Sequence, residues 1–524
     1  MSVPVPSLDV AMNNFFNIHL NKLASSIENL IGSCQTISAL VEIAGNEKYL
    51  LYLVGGFLRD ILLGKSCKDV DFVSNESAAL ARLVAKKTDS KAVLIDRKFG
   101  TVRLIPCDRA DGIGEPFVVD LSPLRGSSIY DDLCQRDFTI NSLAFDISSW
   151  WTDGGIYLLD PLGGIKDLEA GRLRPCSQGS LSDDPLRILR AYRLVSAYGL
   201  LLGAQTRKSI LQARHGLNHV AVERIRDELV LILEATDSVS ILKMLDEDSI
   251  LRLLLPECVD MRNLWQDDFH HQDVWLHSLS SLEALEFFLA NIEELLGKYG
   301  DEATAIITQK LTGERSRQVS LKLGILLHDI GKPRSRSMDK NGTFHFYGHE
   351  VAGSKLAASL CSRLRLSNKE INFVSQLVRQ HMRPIHLFNL TRPSTRALSR
   401  FFRLGPELFF PLLLLFASNY RASQKSTGAE VDLQPLRQRI GDWLDFYYEQ
   451  LKPREMASSI VNGHDIMEYL NLSPGPMVGK LIKALAELQW EGRISTQEEA
   501  LHQAARLLKE IKHKSQKTGD RGQH

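Results

Sequence analysis

Residues 51–73 read LYLVGGFLRDILLGKSCKDVDFV. The apolar run over residues 49–54 predicts a strand, and Gly55-Gly56 predicts a tight turn into a helix over residues 57–63. Glycines at such a turn let backbone N–H groups approach a phosphate, and a helix N-terminus favours anions. Arg59 is placed to add a charge-assisted contact. The stretch therefore indicates a phosphate-binding turn, the alternative being an ordinary glycine turn with a surface arginine.

Two aspartates, Asp69 and Asp71, lie near the end of this stretch. Residues i and i+2 of a strand face the same side of a sheet, so both carboxylates could hold the same divalent cations. Nucleotidyl transfer needs such a pair, because the cations activate the attacking hydroxyl and neutralise the leaving pyrophosphate. Asp120, at the end of another apolar run, is a candidate third carboxylate or else a cap of the following turn. Arg125 is placed to pair with Asp120 or to contact substrate.

Further apolar runs predict strands over residues 70–73, 92–95, 101–105 and 117–121, whereas helical periodicity dominates from Asp183 onward. The fold class is therefore predicted to be α+β, with a mixed sheet and its helices in the N-terminal part and an extended all-helical part after it.

Two more motifs follow: residues 135–141 read QRDFTIN, and residues 183–193 read DDPLRILRAYR. Pro185 suits the first turn of a helix, with Asp183 or Asp184 as the N-cap. Asp184, Arg187 and Arg190 step by three and are expected to share one helical face. The alternative interpretation is an N-cap followed by a solvated arginine stripe.

The motifs GG-x-x-RD-x-LLG-x-x-x-x-D-x-D, RDFTIN and DDPLR-x-LRA-x-R, in this order and spacing, resemble the bacterial tRNA nucleotidyltransferase/poly(A) polymerase family over roughly residues 52–198. The resemblance implies a polymerase-type palm, then a helical neck, body and tail. It implies that Asp69 and Asp71 bind Mg²⁺, and we count Asp120 with them as catalytic. The predicted nucleotide-binding residues are Gly55, Gly56, Arg59, Arg136, Asp137, Asn141, Asp184, Arg187 and Arg190.

The sequence predicts five consecutive regions. They are an N-terminal helical extension (1–48), the nucleotidyltransferase palm (49–171), a helical neck that selects the nucleotide (172–270), a helical domain that resembles HD proteins (271–425), and a C-terminal helical tail (426–524).

Members of this family select bases with protein side chains, and the chemistry of Asp184 and Arg187 suits that task. Arginine only donates hydrogen bonds and a carboxylate only accepts them. Cytosine and adenine both present an amino donor beside an acceptor ring nitrogen, whereas guanine and uracil present a donor at the ring nitrogen. An Asp–Arg pair would thus accept C and A and reject G and U, because a mismatched base leaves buried polar groups unpaired.

A second set of metal-binding residue types follows in the helical part: His277, then His328-Asp329, with His349 and His381 beyond. These separations resemble the HD phosphohydrolase superfamily and imply a second divalent metal, since imidazole and carboxylate ligands suit transition metals. The aspartate expected last in that ligand set is replaced by Asn419, a poorer cation ligand. The alternative is a helical domain that packs these side chains without hydrolysis.

The sequence as a whole predicts an enzyme that adds C, A or both to the 3′ end of tRNA, with ATP and possibly CTP as substrates. The alternatives are a poly(A) polymerase, an HD-type phosphohydrolase with a vestigial palm, and a non-catalytic RNA-binding protein. The 63 basic and 63 acidic side chains cancel, so an RNA surface must come from local clustering. The seven cysteines are scattered and no signal peptide or membrane span is evident, so we expect a cytoplasmic protein without an obligatory protein partner.

Overall fold

The computed structural model describes residues 23–67, 69–96, 100–105, 117–265, 272–313, 315–340, 342–425, 431–456 and 459–519. Contacts between residues divide the chain into two compact units, Met1–Arg224 and Ile225–His524. The division into five regions stays a prediction. Part of the predicted N-terminal extension, residues 1–22, lies outside the described residues, whereas residues 23–33 and Gln35–Glu47 are helical as expected.

The first unit contains a seven-stranded mixed sheet, which confirms the predicted α+β class. In chain order its strands are β1 (Leu51–Val54), β2 (Asp69–Ser74), β3 (Lys91–Asp96), β4 (Thr101–Ile105), β5 (Val118–Pro123), β6 (Ala144–Asp146) and β7 (Leu158–Leu159). Their order across the sheet is β3-β4-β5-β2-β1-β6-β7. The β2–β5 pair is parallel and the other pairs are antiparallel.

The central strand β1 is apolar on both faces, whereas its neighbour β2 begins with one apolar face and one that carries carboxylates. Every residue of β1 is buried, and Val70 and Phe72 of β2 alternate with the two aspartates. The register pairs Val54, the last residue of β1, with Asp71, and pairs Asp71 in turn with Asp120 of β5. The turn after β1 is thereby brought next to the predicted metal-binding carboxylates.

Helices cover the sheet and extend beyond it in the first unit. In addition to those already given they are Gly56–Leu62, Ser77–Thr88, Ile129–Cys134, Ile147–Asp153, Gly164–Glu169, Ser180–Asp183, Arg187–Tyr198 and Ala204–Ala213, with 3-10 turns at Thr139–Asn141 and Arg214–His219 and a two-stranded pair, Arg172–Leu173 with Leu201–Leu202. The helix Val222–Glu234 begins in the first unit and ends in the second.

One helix start was predicted wrongly. The helix that carries the arginines begins at Arg187, not at Pro185, and Asp184 is extended (φ −139°, ψ 93°). A proline disfavours the helical conformation for the residue before it, so Asp184 is extended, and Pro185 and Leu186 form a turn between the helices Ser180–Asp183 and Arg187–Tyr198. Asp184 therefore stands before the helix and does not belong to its face.

The second unit is helical apart from short strand pairs. Its helices are Ser238–Glu247, Leu251–Leu254, Val274–Ala290, Ile292–Leu296, Gly300–Thr308, Arg317–Leu327, Lys332–Ser335, His349–Arg363, Asn368–Gln380, Met382–Phe388, Thr395–Phe402, Pro406–Lys425, Gln434–Phe446, Lys452–Met456, Gly463–Leu470, Pro476–Trp490 and Gln497–Gly519. The strand pairs are Lys310–Thr312 with Arg315–Ser316 and Ser337–Met338 with Phe344–His345.

The helix Pro406–Lys425 lies at the centre of this unit, where it packs against Val274–Ala290 and Asn368–Gln380. The last three helices form their own apolar cluster around Ile466, Leu481 and Ala504. Among the described residues no single helix is long and apolar enough to cross a membrane. One pair of helices, Thr395–Phe402 and Pro406–Gln424, passes a test of length and composition only when taken together, and it is bent by 111°.

Candidate active site

The three predicted catalytic carboxylates meet on β2 and β5. Asp69 is exposed and Asp71 is half-buried, and the parallel register places Asp120 beside Asp71. Burial raises the pKa of Asp71 to about 6, and the neighbouring Asp120 and Asp69 act in the same direction against the opposing effect of Arg136. Crowded carboxylates of this kind supply the oxygen ligands that Mg²⁺ prefers, and a bound cation would relieve their repulsion.

Asp120 is held by an arginine that was not anticipated from the sequence. Arg103 on β4 donates from Nε and Nη2 to the two Asp120 oxygens, each at 2.8 Å. The antiparallel register sets the two residues directly opposite each other. A bidentate pair fixes the orientation of a carboxylate. The only signal in the sequence is an arginine in an otherwise apolar strand, and its partner depends on strand order.

The glycine turn lies against the carboxylates. Gly55 has a φ of +82°, which favours glycine, and a Cβ atom added there would lie 3.3 Å from Arg136 Nη1 and 3.4 Å from Asp71 Oδ2. Glycine at this position therefore serves the turn and also leaves room for Arg136 to approach Asp71.

Arg59 is buried beneath this turn and is extensively bonded. Its Nε donates to Asp60 Oδ1 at 2.9 Å, its Nη1 to Asn141 Oδ1 at 2.5 Å and its Nη2 to the Tyr198 hydroxyl at 2.5 Å. The guanidinium carbon also lies 4.2 Å from the centre of the Tyr198 ring. These contacts brace the turn against the helix Arg187–Tyr198, and a contact of Arg59 with phosphate stays a prediction.

The QRDFTIN motif is linked to the same helix through Asp137. Its buried carboxylate accepts from Arg190 Nη1 at 3.0 Å, from Asn141 Nδ2 at 3.1 Å and from the Phe138 amide at 2.8 Å. Burial acts to raise the pKa of Asp137, but Arg190 and these hydrogen bonds hold it below its ordinary value. Asn141 joins Asp137 to Arg59, so the three motifs form one network.

The residues predicted to select the base have other partners in the structure. Asp184 Oδ2 accepts from Arg224 Nη2 at 2.8 Å. Arg187 donates to the carbonyl oxygens of Gln135 at 3.0 Å and Arg136 at 3.2 Å, and to the hydroxyl and carbonyl of Ser180. The Arg187 amide donates to the Asp184 carbonyl oxygen at 3.0 Å, but within the described part of the chain no hydrogen bond joins their side chains. Arg224, missed in the sequence, lies forty residues from its partner and carries no motif of its own.

A cavity of about 900 Å³ within the first unit is lined by residues of the glycine turn, the QRDFTIN motif and the helix Arg187–Tyr198. Its lining is dominated by arginines, and burial, with Arg136 and Arg187 nearby, lowers the pKa of Arg125. An electropositive cavity of this size, open to solvent and with carboxylates at one wall, suits a nucleoside triphosphate. The residues that line it are Gly55, Gly56, Arg59, Asp71, Arg125, Cys134, Gln135, Arg136, Asp137, Asn141, Ser177, Asp183, Asp184, Arg187, Arg190, Arg193, Leu194 and Arg224.

The second unit contains a separate cluster of buried histidines around Asp329. Asp329 Oδ2 lies 3.2 Å from His328 Nε2, and Asp329 Oδ1 lies 3.5 Å from His349 Nε2 and 3.8 Å from His381 Nε2. The ligand atoms form two groups, one with His277 and His328 and one with His349 and His381, which share Asp329. In each group the atoms lie within 4.8 Å of one another, a spacing suited to a metal ion.

Backbone contacts orient three of these imidazole rings. The Nδ1 atom of each ring lies 2.7–2.8 Å from a carbonyl oxygen three residues earlier, as seen for His328, His349 and His381. A carbonyl accepts only a donated proton, so Nδ1 carries the hydrogen and Nε2 keeps its lone pair for a ligand.

Two of these Nε2 atoms, in His349 and His381, are 3.2 Å apart. Burial lowers the pKa of His381 to about 3, so a proton does not bridge the two atoms at neutral pH. A metal cation between them would satisfy both lone pairs.

Asn419, which was predicted to replace the last aspartate of the HD ligand set, also contacts this cluster. His277 Nε2 lies 3.1 Å from Asn419 Oδ1, so the amide occupies a place in the cluster. Lys332 Nζ donates to Asp329 Oδ2 at 2.7 Å. The donor set is rich in nitrogen, which suits a transition metal better than Mg²⁺.

Models of known protein families match both units of the chain. Residues 51–174 match the model of the poly A polymerase head domain, residues 294–401 match the HD domain, and residues 350–505 match tRNA nucleotidyltransferase domain 2. The chain is 31% identical to the A-adding tRNA nucleotidyltransferase of Deinococcus radiodurans over 86% of its own length and 93% of that relative. The chain belongs to the tRNA nucleotidyltransferase family. It is also 30% identical to the CC-adding tRNA nucleotidyltransferase of Thermus thermophilus, over 85% of this chain and 91% of that one.

Solved structures of CCA-adding enzymes share the fold of this tRNA nucleotidyltransferase. A CCA-adding enzyme in complex with ATP aligns with a TM-score of 0.61 at 20% identity, covering 92% of this chain and 96% of that one. The Thermotoga maritima CCA-adding enzyme in complex with tRNA aligns with a TM-score of 0.57 at 21% identity, covering 93% and 98%. The predicted family and the predicted transferase class are thus confirmed.

Proposed function

We propose that this tRNA nucleotidyltransferase adds C, A or both to the 3′ end of tRNA, with ATP and CTP as nucleotide donors. The observation that carries the proposal is that Asp71, with Asp69 on the same strand and Asp120 beside it, lines an arginine-rich cavity of about 900 Å³. The named activities of relatives that align over most of the chain support the tRNA substrate. We place the reaction in the cytoplasm.

In the proposed reaction the 3′-hydroxyl oxygen of the RNA attacks the α-phosphorus in line, and the bond to the bridging oxygen breaks to release pyrophosphate. Mg²⁺ held by Asp69 and Asp71 would lower the pKa of the attacking hydroxyl and neutralise charge on the leaving group. Arg103 keeps Asp120 oriented beside them. Gly55 and Gly56 let the backbone approach the triphosphate, and Arg136 and the other cavity arginines offset its charge.

Base choice is assigned to Asp184 and Arg187, with Arg224 as the residue that positions Asp184. Arg224 donates to Asp184 Oδ2, whereas among the described residues Asp184 Oδ1 accepts only from the Leu186 amide, at the long distance of 3.4 Å. Oδ1 therefore has capacity to accept from the amino group of cytosine or adenine. Arg187 would bring a donor to the adjacent ring nitrogen while it bonds the Gln135 and Arg136 carbonyls.

The test of this proposal uses purified protein, Mg²⁺ and three labelled tRNAs that end before the first C, after CC, and after CCA, each offered single nucleotides. Incorporation of C into the first or A into the second supports the proposal and assigns the specificity. Long A tracts on any of these RNAs would indicate a poly(A) polymerase instead, and no incorporation at all would overturn the proposal.

A second candidate activity is supported by the histidine cluster in the second unit. Its four imidazoles around Asp329 suit a transition metal, and a metal bound there would act as a Lewis acid on a phosphoester. Hydrolysis of 2′,3′-cyclic nucleotides, phosphomonoesters or pyrophosphate that requires added Ni²⁺, Co²⁺ or Mn²⁺ would support it. A protein that binds metal and hydrolyses none of them would show that the cluster is structural.

A further inference from the structure

The segment 371–406 has a one-sided charge. Its 36 residues contain six arginines and no aspartate or glutamate, although the chain as a whole has 63 basic and 63 acidic side chains. Local clustering of this kind is the electrostatic signature of an anion-binding surface in a protein that is neutral overall.

Two of the six arginines are neutralised by the C-terminal part of the chain. Arg396 Nε lies 3.4 Å from Glu491, and Arg403 Nη1 lies 3.3 Å from Glu487. These ion pairs lie beside the hydrogen bond from Trp490 Nε1 to the carbonyl of Ser399. Arg396 and Arg403 therefore help to attach one helix to another, and their charges are already compensated.

Three others form a cluster that we call the arginine triad: Arg379, Arg383 and Arg400. Arg379 and Arg383 are four residues apart, and His381 between them is itself helical (φ −59°, ψ −26°), so the two arginines lie on one face. Arg400 belongs to the helix Thr395–Phe402, which packs against the helix of Arg383, Met382–Phe388. All three side chains are exposed.

The triad is a concentration of like charge without a compensating acid. In the described part of the chain no ion pair joins Arg379, Arg383 or Arg400 to a carboxylate. Burial lowers the pKa of Arg383, and Arg400 and Arg379 add to that effect by their repulsion, with no carboxylate opposing them. Three guanidinium groups held together in this way reduce the stability of the folded protein unless an anionic partner neutralises them.

We propose that the arginine triad binds backbone phosphates of the RNA substrate. The guanidinium group matches phosphate with two parallel donors, and three of them within one surface suit a polyanion better than a single free phosphate. This inference rests on the proposed function for its choice of RNA over other polyanions.

The first experiment measures how tRNA affinity depends on salt. A phosphate contact contributes roughly 0.7–0.9 to the slope of log K against log salt concentration. The triple variant Arg379→Gln, Arg383→Gln, Arg400→Gln should therefore lose about 2–3 from that slope and bind tRNA more weakly. The matched control is Arg396→Gln, an exchange of the same kind within the helix Thr395–Phe402 at a compensated charge, and its slope should stay that of the wild type.

A second variant distinguishes charge from folding. The triple Arg→Lys variant keeps all three charges and should retain most of the slope, although lysine does not offer the bidentate geometry. Steady-state addition gives a further readout: the Gln variant should raise KM for tRNA while KM for ATP and kcat stay near the wild-type values. A variant that merely unfolds would lower kcat and bind neither substrate, and thermal unfolding monitored by circular dichroism identifies it.

An unchanged salt slope and an unchanged KM for tRNA in the Gln variant would overturn the inference. Loss of binding to vesicles containing anionic lipid, with tRNA binding intact, would also overturn it in favour of a membrane surface. The proposed function fails separately, since it requires nucleotide incorporation by the wild-type protein, whereas the salt slope is measured without catalysis.

Discussion

The two clusters of metal-binding residue types in this protein differ in almost every physical respect. The palm carboxylates are oxygen donors, of which Asp71 lines an open cavity and Asp69 is exposed. The cluster around Asp329 is dominated by imidazole nitrogens, and His328 and Asp329 are almost completely buried. Oxygen ligands in an open site suit Mg²⁺ and a large substrate, whereas buried nitrogen ligands suit a tightly held transition metal. Residue type and exposure therefore indicate that the two clusters suit different metal ions.

The largest effect is expected from the palm. Asp69→Ala or Asp71→Ala should reduce nucleotide incorporation by roughly 100- to 1000-fold or more, because these groups act on charge that develops in the transition state. Binding of tRNA and the midpoint of thermal unfolding should stay close to wild type. Steady-state incorporation with both single variants measures this, and full activity in both would mean that the catalytic carboxylates lie elsewhere.

A substitution in the histidine cluster should weaken metal binding and leave nucleotide addition unchanged. His328→Ala removes one imidazole ligand and should lower the affinity for Ni²⁺, Co²⁺ or Zn²⁺ by more than the roughly 10- to 100-fold that loss of an outer-shell partner costs, so protein purified without chelator should contain less metal. Nucleotide addition should be unchanged, because the palm carboxylates and their cavity lie wholly in the first unit. Elemental analysis and the incorporation assay together provide the comparison. Equal loss of both properties would show that the two sites are coupled.

A smaller effect is expected in base selection. Asp184→Ala removes the acceptor for the amino group shared by cytosine and adenine, so discrimination against UTP and GTP should fall by about 1–3 kcal/mol. Arg224→Ala should produce part of the same loss, since Arg224 orients Asp184. The readout is the ratio of kcat/KM for ATP or CTP to that for UTP or GTP. A uniform decrease with an unchanged ratio would assign Asp184 to structure alone.

The mildest effect concerns pH. The pKa of Asp71 is raised to about 6, so a proton competes with Mg²⁺ below that pH and the half-saturating Mg²⁺ concentration should rise by about tenfold per unit. The folded-state pKa of Asp71 exceeds the unfolded-state pKa, so protonation of Asp71 stabilises the metal-free folded protein at low pH. That contribution to the free energy of unfolding is lost as pH rises from about 4 through 6. Thermal shifts with Mg²⁺ should therefore be larger at pH 7.5 than at pH 5. In Asp71→Asn the difference between the two pH values should shrink, and an unaltered difference would exclude Asp71 as its source.

Prediction from sequence succeeded where the signal was local. Short apolar runs identified β1, β2, β3, β4 and β5 to within two residues at each end, because strands of a sheet that is covered by helices bury successive apolar side chains. The start of the helix at Arg187 was predicted two residues too early, because Pro185 and Leu186 form a turn that is closed by the hydrogen bond from the Arg187 amide to the Asp184 carbonyl. The network of Arg59, Asn141 and Tyr198 could not be foreseen, since its members are up to 139 residues apart.

The sequence by itself determined the class of the protein and identified its candidate catalytic residues and two candidate metal-binding sets, because each of these depends on short-range order and spacing. Only the tertiary structure decided which residues meet. Strand order set Arg103 against Asp120, and helix packing set Arg224 against Asp184 and His349 against His381. The physical reason is that such partners share no local sequence signal. Their contact follows from the path of the whole chain, which is set by the burial of apolar surface and not by the polar groups that it brings together.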